Sequence, residues 1–90
     1  MMVQHGTTVH IYDDADSVWT SASVQEVLRN SNIPVEVTDI STLMFPKVMR
    51  EVLSERGTPT LPLLLSVTEE RSIRERYYRL LDQRGYMVSA

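Results

Sequence analysis

The chain has 90 residues, which suits one small domain and is too short for two. Its hydrophobic fraction of 42% and charged fraction of 23% are ordinary for a globular protein. It has no cysteine, which excludes disulfides, thiolate metal ligands and thiol nucleophiles. No apolar run approaches the roughly 20 residues of a membrane span, and the N-terminus lacks a signal-peptide pattern. We therefore expect a cytoplasmic protein with no membrane partner, in which residues 1–6 are a disordered tail.

Charge is unevenly distributed along the chain, whose net charge is −3. Residues 1–45 hold six acids and one base, whereas residues 46–90 hold six acids and eight bases. Arginine alternates with glutamate in the second half instead of forming a basic stripe, so we expect no nucleic-acid partner. The only histidines are His5 and His10, and we expect no metal site from them.

The first half of the chain predicts a β-α-β unit. Residues 7–12 are β-branched and aromatic, which favours a buried strand. Asp16 or Ser17 can cap the helix that follows, and Asn30-Ser31-Asn32 ends it. Residues 35–40 alternate as a strand should, and a right-handed crossover through the helix makes the two strands parallel. The apolar stripe of the helix is predicted as Val24, Val27 and Leu28, with Trp19 or Thr20 one turn earlier.

The second half begins with a helix and a short strand. Ser41 or Thr42 opens the next segment, Pro46 suits the first turn of a helix and Gly57 suits the position after its end. Residues 60–65 are a continuous apolar run typical of a central strand, although a proline inside it removes a ladder donor. The apolar stripe of this helix is Val48, Met49, Val52 and Leu53.

The start of the last helix has two interpretations. Ser66 and Ser72 each stand three residues before a glutamate, so both fit a capping box. The first gives a long helix, and the second leaves residues 67–71 for a turn and a very short strand. Gly85 ends the helix, and residues 86–88 form either an edge strand or a loose tail. The predicted apolar stripe is Ile73, Tyr77, Leu80 and Leu81, with the ion pairs Glu70–Arg74, Arg71–Glu75 and Glu75–Arg79 on the exposed side.

This order of elements, with Thr60-Leu61-Pro62 at the head of the third strand, resembles a glutaredoxin. In that family a Cys-x-x-Cys motif lies at the start of the first helix, and here Ser17-Val18-Trp19-Thr20 occupies that position. The resemblance implies a thioredoxin-like three-layer α/β fold in the order β-α-β-α-β-(β)-α. It also implies a mixed sheet with helices on both faces, one domain over residues 1–90 and a cis bond before Pro62. The Gly-Gly-Asp region that follows a hairpin in the family is absent.

The loss of both cysteines removes thiol–disulfide exchange, so no catalytic residue is assigned. Our first hypothesis is a redox-inactive glutaredoxin-like domain that acts as a protein-binding or regulatory module. The step Gly57-Thr58-Pro59-Thr60-Leu61 resembles KaiB-type domains, a family without Cys-x-x-Cys that acts by binding proteins. The candidate partner-binding residues are Ser17, Trp19, Thr20, Phe45, Thr60, Leu61 and Pro62.

Two other functions are open at this point. The first is a glutathione-binding or transferase-like module, in which the resemblance to serine-using glutathione transferases implies that Ser17 holds the thiolate and that Leu61-Pro62 and Ser72 hold the tripeptide. The second is a structural subunit that forms a homodimer through an edge strand at residues 86–88. We expect no cofactor, and glutathione is the one candidate that the resemblance allows.

Each candidate residue also has a plainer structural interpretation. A lone tryptophan on an amphipathic helix is more often part of the core than an exposed contact. Ser17 and Thr20 are more often caps or solvated helix residues, and Phe45 before Pro46 fits a hydrophobic staple. The aspartates at positions 13, 14 and 16 fit a solvated loop with a cap better than a cation site.

Overall fold

The computed structural model describes residues 8–57 and 60–86, which form a small α/β domain. Within them the chain runs β1 (Val9–Asp13), α1 (Val18–Asn30), β2 (Val35–Asp39), α2 (Pro46–Glu55), β3 (Leu63–Leu65) and α3 (Val67–Gln83). A 3-10 turn at Ile40–Thr42 lies between β2 and α2. The predicted succession of elements is therefore confirmed.

The sheet has the strand order β2-β1-β3 and is mixed, as expected. β1 and β2 are parallel, with Ile11 paired to Val37. β1 and β3 are antiparallel, with Ile11 paired to Leu64. The central position of β1 places the start of α1 at the end of the middle strand.

The main core lies on the face of the sheet that Tyr12 occupies. Both helices of the second half pack there, and α2 contacts α3 more extensively than it contacts any strand. The apolar stripes predicted for these helices are confirmed, because every member of both is buried. The core cluster consists of Tyr12, Ile40, Val48, Met49, Val52, Leu53, Leu65, Ile73, Tyr77, Leu80 and Leu81.

The opposite face is covered by α1, which contacts β1 and β2. Ile11 is fully buried on this side, since successive strand residues point to opposite faces. Only Ser21 of α1 is fully buried, and Val24, Gln25 and Leu28 are half-buried. The predicted stripe is therefore wrong at Val27 and in the first turn, where Trp19 and Thr20 are both exposed. Val24, Gln25 and Leu28 follow Ser21 by three, four and seven residues, which keeps them on one face of the helix, whereas Trp19 lies about 200° around the helix from Ser21.

The start of α3 agrees with the first of its two interpretations. Ser66 Oγ accepts a hydrogen bond from Glu69 N at 3.1 Å, and Glu69 Oε1 accepts one from Ser66 N at 2.9 Å. The alternative cap at Ser72 is wrong, because residues 67–71 are helical. A strand over residues 86–88 falls largely outside the described residues, and Tyr86 itself is not in a strand.

The segment between β2 and α2 begins with the 3-10 turn, and Pro46 lies in the first turn of α2 as predicted. Ser41 and Thr42 belong to the 3-10 turn, because Asp39 Oδ1 accepts a hydrogen bond from Ser41 N at 2.9 Å. The helix begins at Pro46, and Gly57 follows its C-cap with φ of 112°, as the sequence predicts. None of the helices in the described ranges has both the length and the apolar composition needed to cross a bilayer.

Candidate functional site

The turn before α1 is held by a hydrogen-bond network around Asp14. Asp14 Oδ1 accepts hydrogen bonds from Ser17 Oγ and Ser17 N, both at 2.9 Å, and from Asp16 N at 3.1 Å. Ser17 Oγ in turn accepts one from Asp14 N at 2.9 Å. Arg50 Nη2 of α2 donates to Asp14 Oδ2 at 3.2 Å. Asp14 and Ser17 are both buried, so this network fixes the entry to α1.

The electrostatics of this turn favour an ionised Asp14. Burial by itself would raise the pKa of its carboxyl, but the hydrogen bonds from Ser17 Oγ, from Arg50 and from Ser17 N outweigh burial. The pKa of Asp14 is therefore held below its ordinary value. The turn consequently carries a buried negative charge next to the first residues of α1.

The Ser17 hydroxyl already donates one hydrogen bond and accepts another within this turn. Ser17 is the N-cap of α1 by position, yet its side chain makes no capping hydrogen bond to the helix. It donates to one carboxylate oxygen and accepts from a backbone N–H instead. A ligand thiolate could reach this hydroxyl only by displacing Asp14, so the geometry disfavours Ser17 as a glutathione contact.

Trp19 and Thr20 lie in the first turn of α1 and both point to solvent. Trp19 is 84% exposed, so the interpretation of this residue as core is wrong. Its neighbour Val18 is also exposed. Leaving this much aromatic and aliphatic surface in water is unfavourable, which makes the first turn of α1 a candidate contact surface.

The other predicted contact residues lie around the main core. Phe45 is half-buried at the start of α2, and its ring stacks on Tyr86 with centroids 4.8 Å apart. Phe45 is itself the N-cap of α2, so it is not the residue before the cap that a hydrophobic staple requires. Leu61 packs against the core, Pro62 is half-buried and Thr60 is exposed. The peptide bond between Leu61 and Pro62 is cis, as the resemblance implies.

The structure therefore divides the predicted residues into two groups. Phe45 and Leu61 both pack against the α2–α3 core, whereas Trp19 and Thr20 are exposed on the helix that covers the other face. Beside Phe45 lies an apolar groove of about 470 Å³. Its lining also includes Met44, Tyr78 and Tyr86, of which Met44 has no predicted role.

Glu70 is the main polar residue that sequence reasoning misplaced. It was predicted on the exposed side of α3, but it is buried and accepts a hydrogen bond from Tyr12 Oη at 2.7 Å. Arg74 lies 3.4 Å and His10 4.0 Å from Glu70 Oε1. Burial, helped by the bond to Glu70, raises the pKa of Tyr12 well above its ordinary value. The spacing of Glu70 from Ile73 and Tyr77, at i+3 and i+7, was the available signal.

The acidic side chains of the two halves of the chain also differ in whether they form ion pairs. On α2 and α3, Arg76 Nη2 lies 2.9 Å from Glu55 and Arg84 Nη2 lies 2.7 Å from Glu51. No ion pair within residues 8–57 and 60–86 involves the exposed carboxylates of the first half, which are Asp16, Glu26 and Glu36. Among the described residues, Asp16 and Glu26 are therefore exposed carboxylates at the start of α1 and on it that make no ion pair.

The described residues contain no group of three or more histidines, aspartates or glutamates arranged to hold a metal ion. Comparison with protein-family models, with curated proteins and with solved structures finds no match for this chain.

Proposed function

We propose that this chain is a redox-inactive, glutaredoxin-like domain that binds another protein through the first turn of α1. The observation that carries the proposal is the exposure of Trp19, the largest side chain in the protein. Tryptophan is the residue type most enriched among the few interface residues that supply most of the binding energy.

Two features support a glutaredoxin-like ancestry. The chain has a parallel β-α-β unit followed by a helix, an antiparallel strand and a final helix. Ser17 and Thr20 stand where the family carries its cysteines. One feature departs from the family: α3 follows β3 after a single residue, so no hairpin lies between them.

Binding is favoured over chemistry because the first turn of α1 lacks an available nucleophile. Cysteine is absent from the whole chain. The Ser17 hydroxyl donates to Asp14, whose lowered pKa makes this carboxylate a weak base, so the serine is not activated as a nucleophile. The first turn of α1 would therefore act by binding, through its exposed apolar side chains and its charge.

The partner we propose is a protein with an apolar pocket rimmed by lysine or arginine. The pocket would receive the Trp19 ring, with Val18 at its margin. The basic rim would pair with Asp16 and Glu26, whose carboxylates make no ion pair within the described residues. Complementary charge of this kind accelerates association and makes it salt-dependent.

The single tryptophan allows a direct test, since 5-fluorotryptophan gives one ¹⁹F resonance from position 19. We expect this resonance to shift when extract of the source cells is added, and a photo-crosslinker at position 19 to capture the same partner. With the captured protein in purified form, Trp19→Ala should weaken binding about 30-fold or more, as loss of a central anchor does.

Met44→Ala is the matched control, because Met44 is 83% exposed but lies beside Phe45 instead of on α1. It should leave the affinity unchanged. An unchanged ¹⁹F resonance, or equal losses from Met44→Ala and Trp19→Ala, would contradict the proposal. Titration of glutathione against the amide resonances of residues 17–20 and 60–62 tests the alternative, and shifts there would favour it.

A further inference from the structure

The two outer edges of the sheet differ in how they are protected. β2 carries charged residues, Glu36 and Asp39, in its five positions. β3 consists of three leucines and has no charge, proline or glycine. Natural edge strands usually carry charge, proline or a bulge that prevents pairing with another chain. β3 has none of these within its span, although Pro62 directly precedes it, and its protection against pairing is its length of 3 residues.

The outer side of β3 is also accessible. Within residues 8–57 and 60–86 the only strand that pairs with β3 is β1, which lies on its inner side. A groove of about 620 Å³ runs along β3 between the end of α2 and the start of α3. Leu64, the central residue of the strand, is 45% exposed. The described part of the chain therefore leaves both the backbone edge and the space that an added strand needs.

We propose that β3 pairs with β3 of a second copy, antiparallel about a two-fold axis at Leu64, to form a continuous six-stranded sheet. A two-fold interface uses the same patch on both copies, so the patch must be self-complementary. An uncharged leucine edge meets this condition because the axis brings Leu64 against Leu64. The same pairing at β2 would bury Glu36 or Asp39 near the other copy without a basic partner.

The size of β3 sets the strength of the association. Three residues in each copy bury less surface than a standard stable interface of about 1,600 Å². We therefore expect a reversible dimer that forms in the micromolar range or above, not a permanent one.

Sedimentation of the full chain from about 1 µM to about 1 mM tests this proposal. The wild type should pass from monomer to dimer. Leu64→Lys should weaken association at least tenfold, because pairing would bring two ammonium groups together at the axis. Val37→Lys is the matched control: Val37 is 39% exposed and pairs with Ile11 from the other side, so it places the same charge on the same face at the β2 edge. It should leave association unchanged.

Hydrogen exchange identifies the surface without any substitution. On raising the concentration of wild-type protein, amide protection should increase in residues 63–65 and stay constant in residues 35–39. Leu64→Gln, which adds no charge, gives a smaller loss of association and covers the case in which Leu64→Lys does not fold.

Three results would overturn the proposal. These are a wild type that stays monomeric throughout, equal losses from the two lysine variants, or protection that increases at β2 instead of β3. Trp19→Ala should not change association, and Leu64→Lys should not change the ¹⁹F shift caused by a partner. Failure of the dimer and failure of the proposed function are therefore distinguishable.

Discussion

The two faces of the sheet differ in how completely the helices that cover them bury apolar side chains. On one face α2 and α3 enclose a core of eleven buried side chains and pair their acids with arginines. On the other face, which α1 covers, Ile11 of β1 and Ser21 of α1 are fully buried, while Trp19 and Val27 of α1 are exposed. The first face holds the domain together. The second leaves apolar side chains in water, so it contributes less to stability than its apolar content would allow.

The largest expected effect tests whether the core face dominates stability. Ile73 has no exposed surface, so Ile73→Ala should lower the free energy of unfolding by about 3–4 kcal/mol through lost burial and a residual cavity. Val27→Ala on α1 should change it by less than about 0.5 kcal/mol, because Val27 is mostly exposed. Urea denaturation measures both. Should Ile73→Ala be unfolded, Ile73→Val should still cost about 1 kcal/mol. Equal effects at the two positions would refute the comparison.

A second test concerns the buried polar link between the sheet and α3. Tyr12→Phe removes the donor at 2.7 Å from Glu70 and leaves a buried carboxylate with one fewer partner. We expect a loss of about 1–3 kcal/mol in unfolding free energy. Tyr78→Phe, on an exposed tyrosine of the same helix, should be nearly neutral. If Tyr12→Phe also proves neutral, Glu70 does not depend on this bond.

The third test uses pH to probe the turn before α1. The pKa of Asp14 is depressed in the folded chain, so its contribution is fully present above the ordinary value of about 3.9 and is lost as the pH falls through the lower folded value. At neutral pH the wild type should exceed Asp14→Asn by about 1–3 kcal/mol in unfolding free energy, and this difference should shrink towards pH 2 or so.

Unfolding followed from neutral to acid pH gives this difference directly. Asp16→Asn is the control, because Asp16 lies in the same turn but is exposed. A difference between wild type and Asp14→Asn that stays constant with pH would show that the ionised carboxylate is not what stabilises the turn.

The smallest expected effect distinguishes Ser66, which caps α3, from Ser72, which lies within the helix. Ser66→Ala removes the side chain that accepts from Glu69 N and should cost about 1 kcal/mol. Ser72→Ala lies on the exposed side of α3 and should stay within about 0.5 kcal/mol. Thermal unfolding of the two variants side by side is sufficient. A larger loss from Ser72→Ala would be inconsistent with a helix that begins at Val67.

Prediction from the sequence worked best where one short segment contains the whole signal. The stripe on α2, the glycines after α2 and α3, and the parallel β-α-β unit depend on local spacing and backbone preference, and all are found. It failed where a side chain has two environments compatible with its spacing. Trp19 follows a helical spacing, but the face of α1 on which it lies points to solvent instead of the sheet. The spacing of Glu70 is compatible both with an exposed ion pair and with the buried stripe of α3.

The position of the candidate site could be predicted from the sequence, but the hydrogen bonds made by its side chains could not. The start of α1 follows from the order of elements and from the resemblance to glutaredoxins. That the Ser17 hydroxyl is bonded to Asp14, while Asp14 is also held by Arg50 from α2, could not be predicted, because those contacts depend on how α2 packs beside the turn.

The sequence by itself determined the succession of strands and helices and the absence of thiol chemistry, because both follow from residue identity and local spacing. Only the tertiary structure decided the strand order, the burial of Glu70, the exposure of Trp19 and the open edge at β3. These depend on which elements meet in space, and a short-range pattern along the chain carries no information about that.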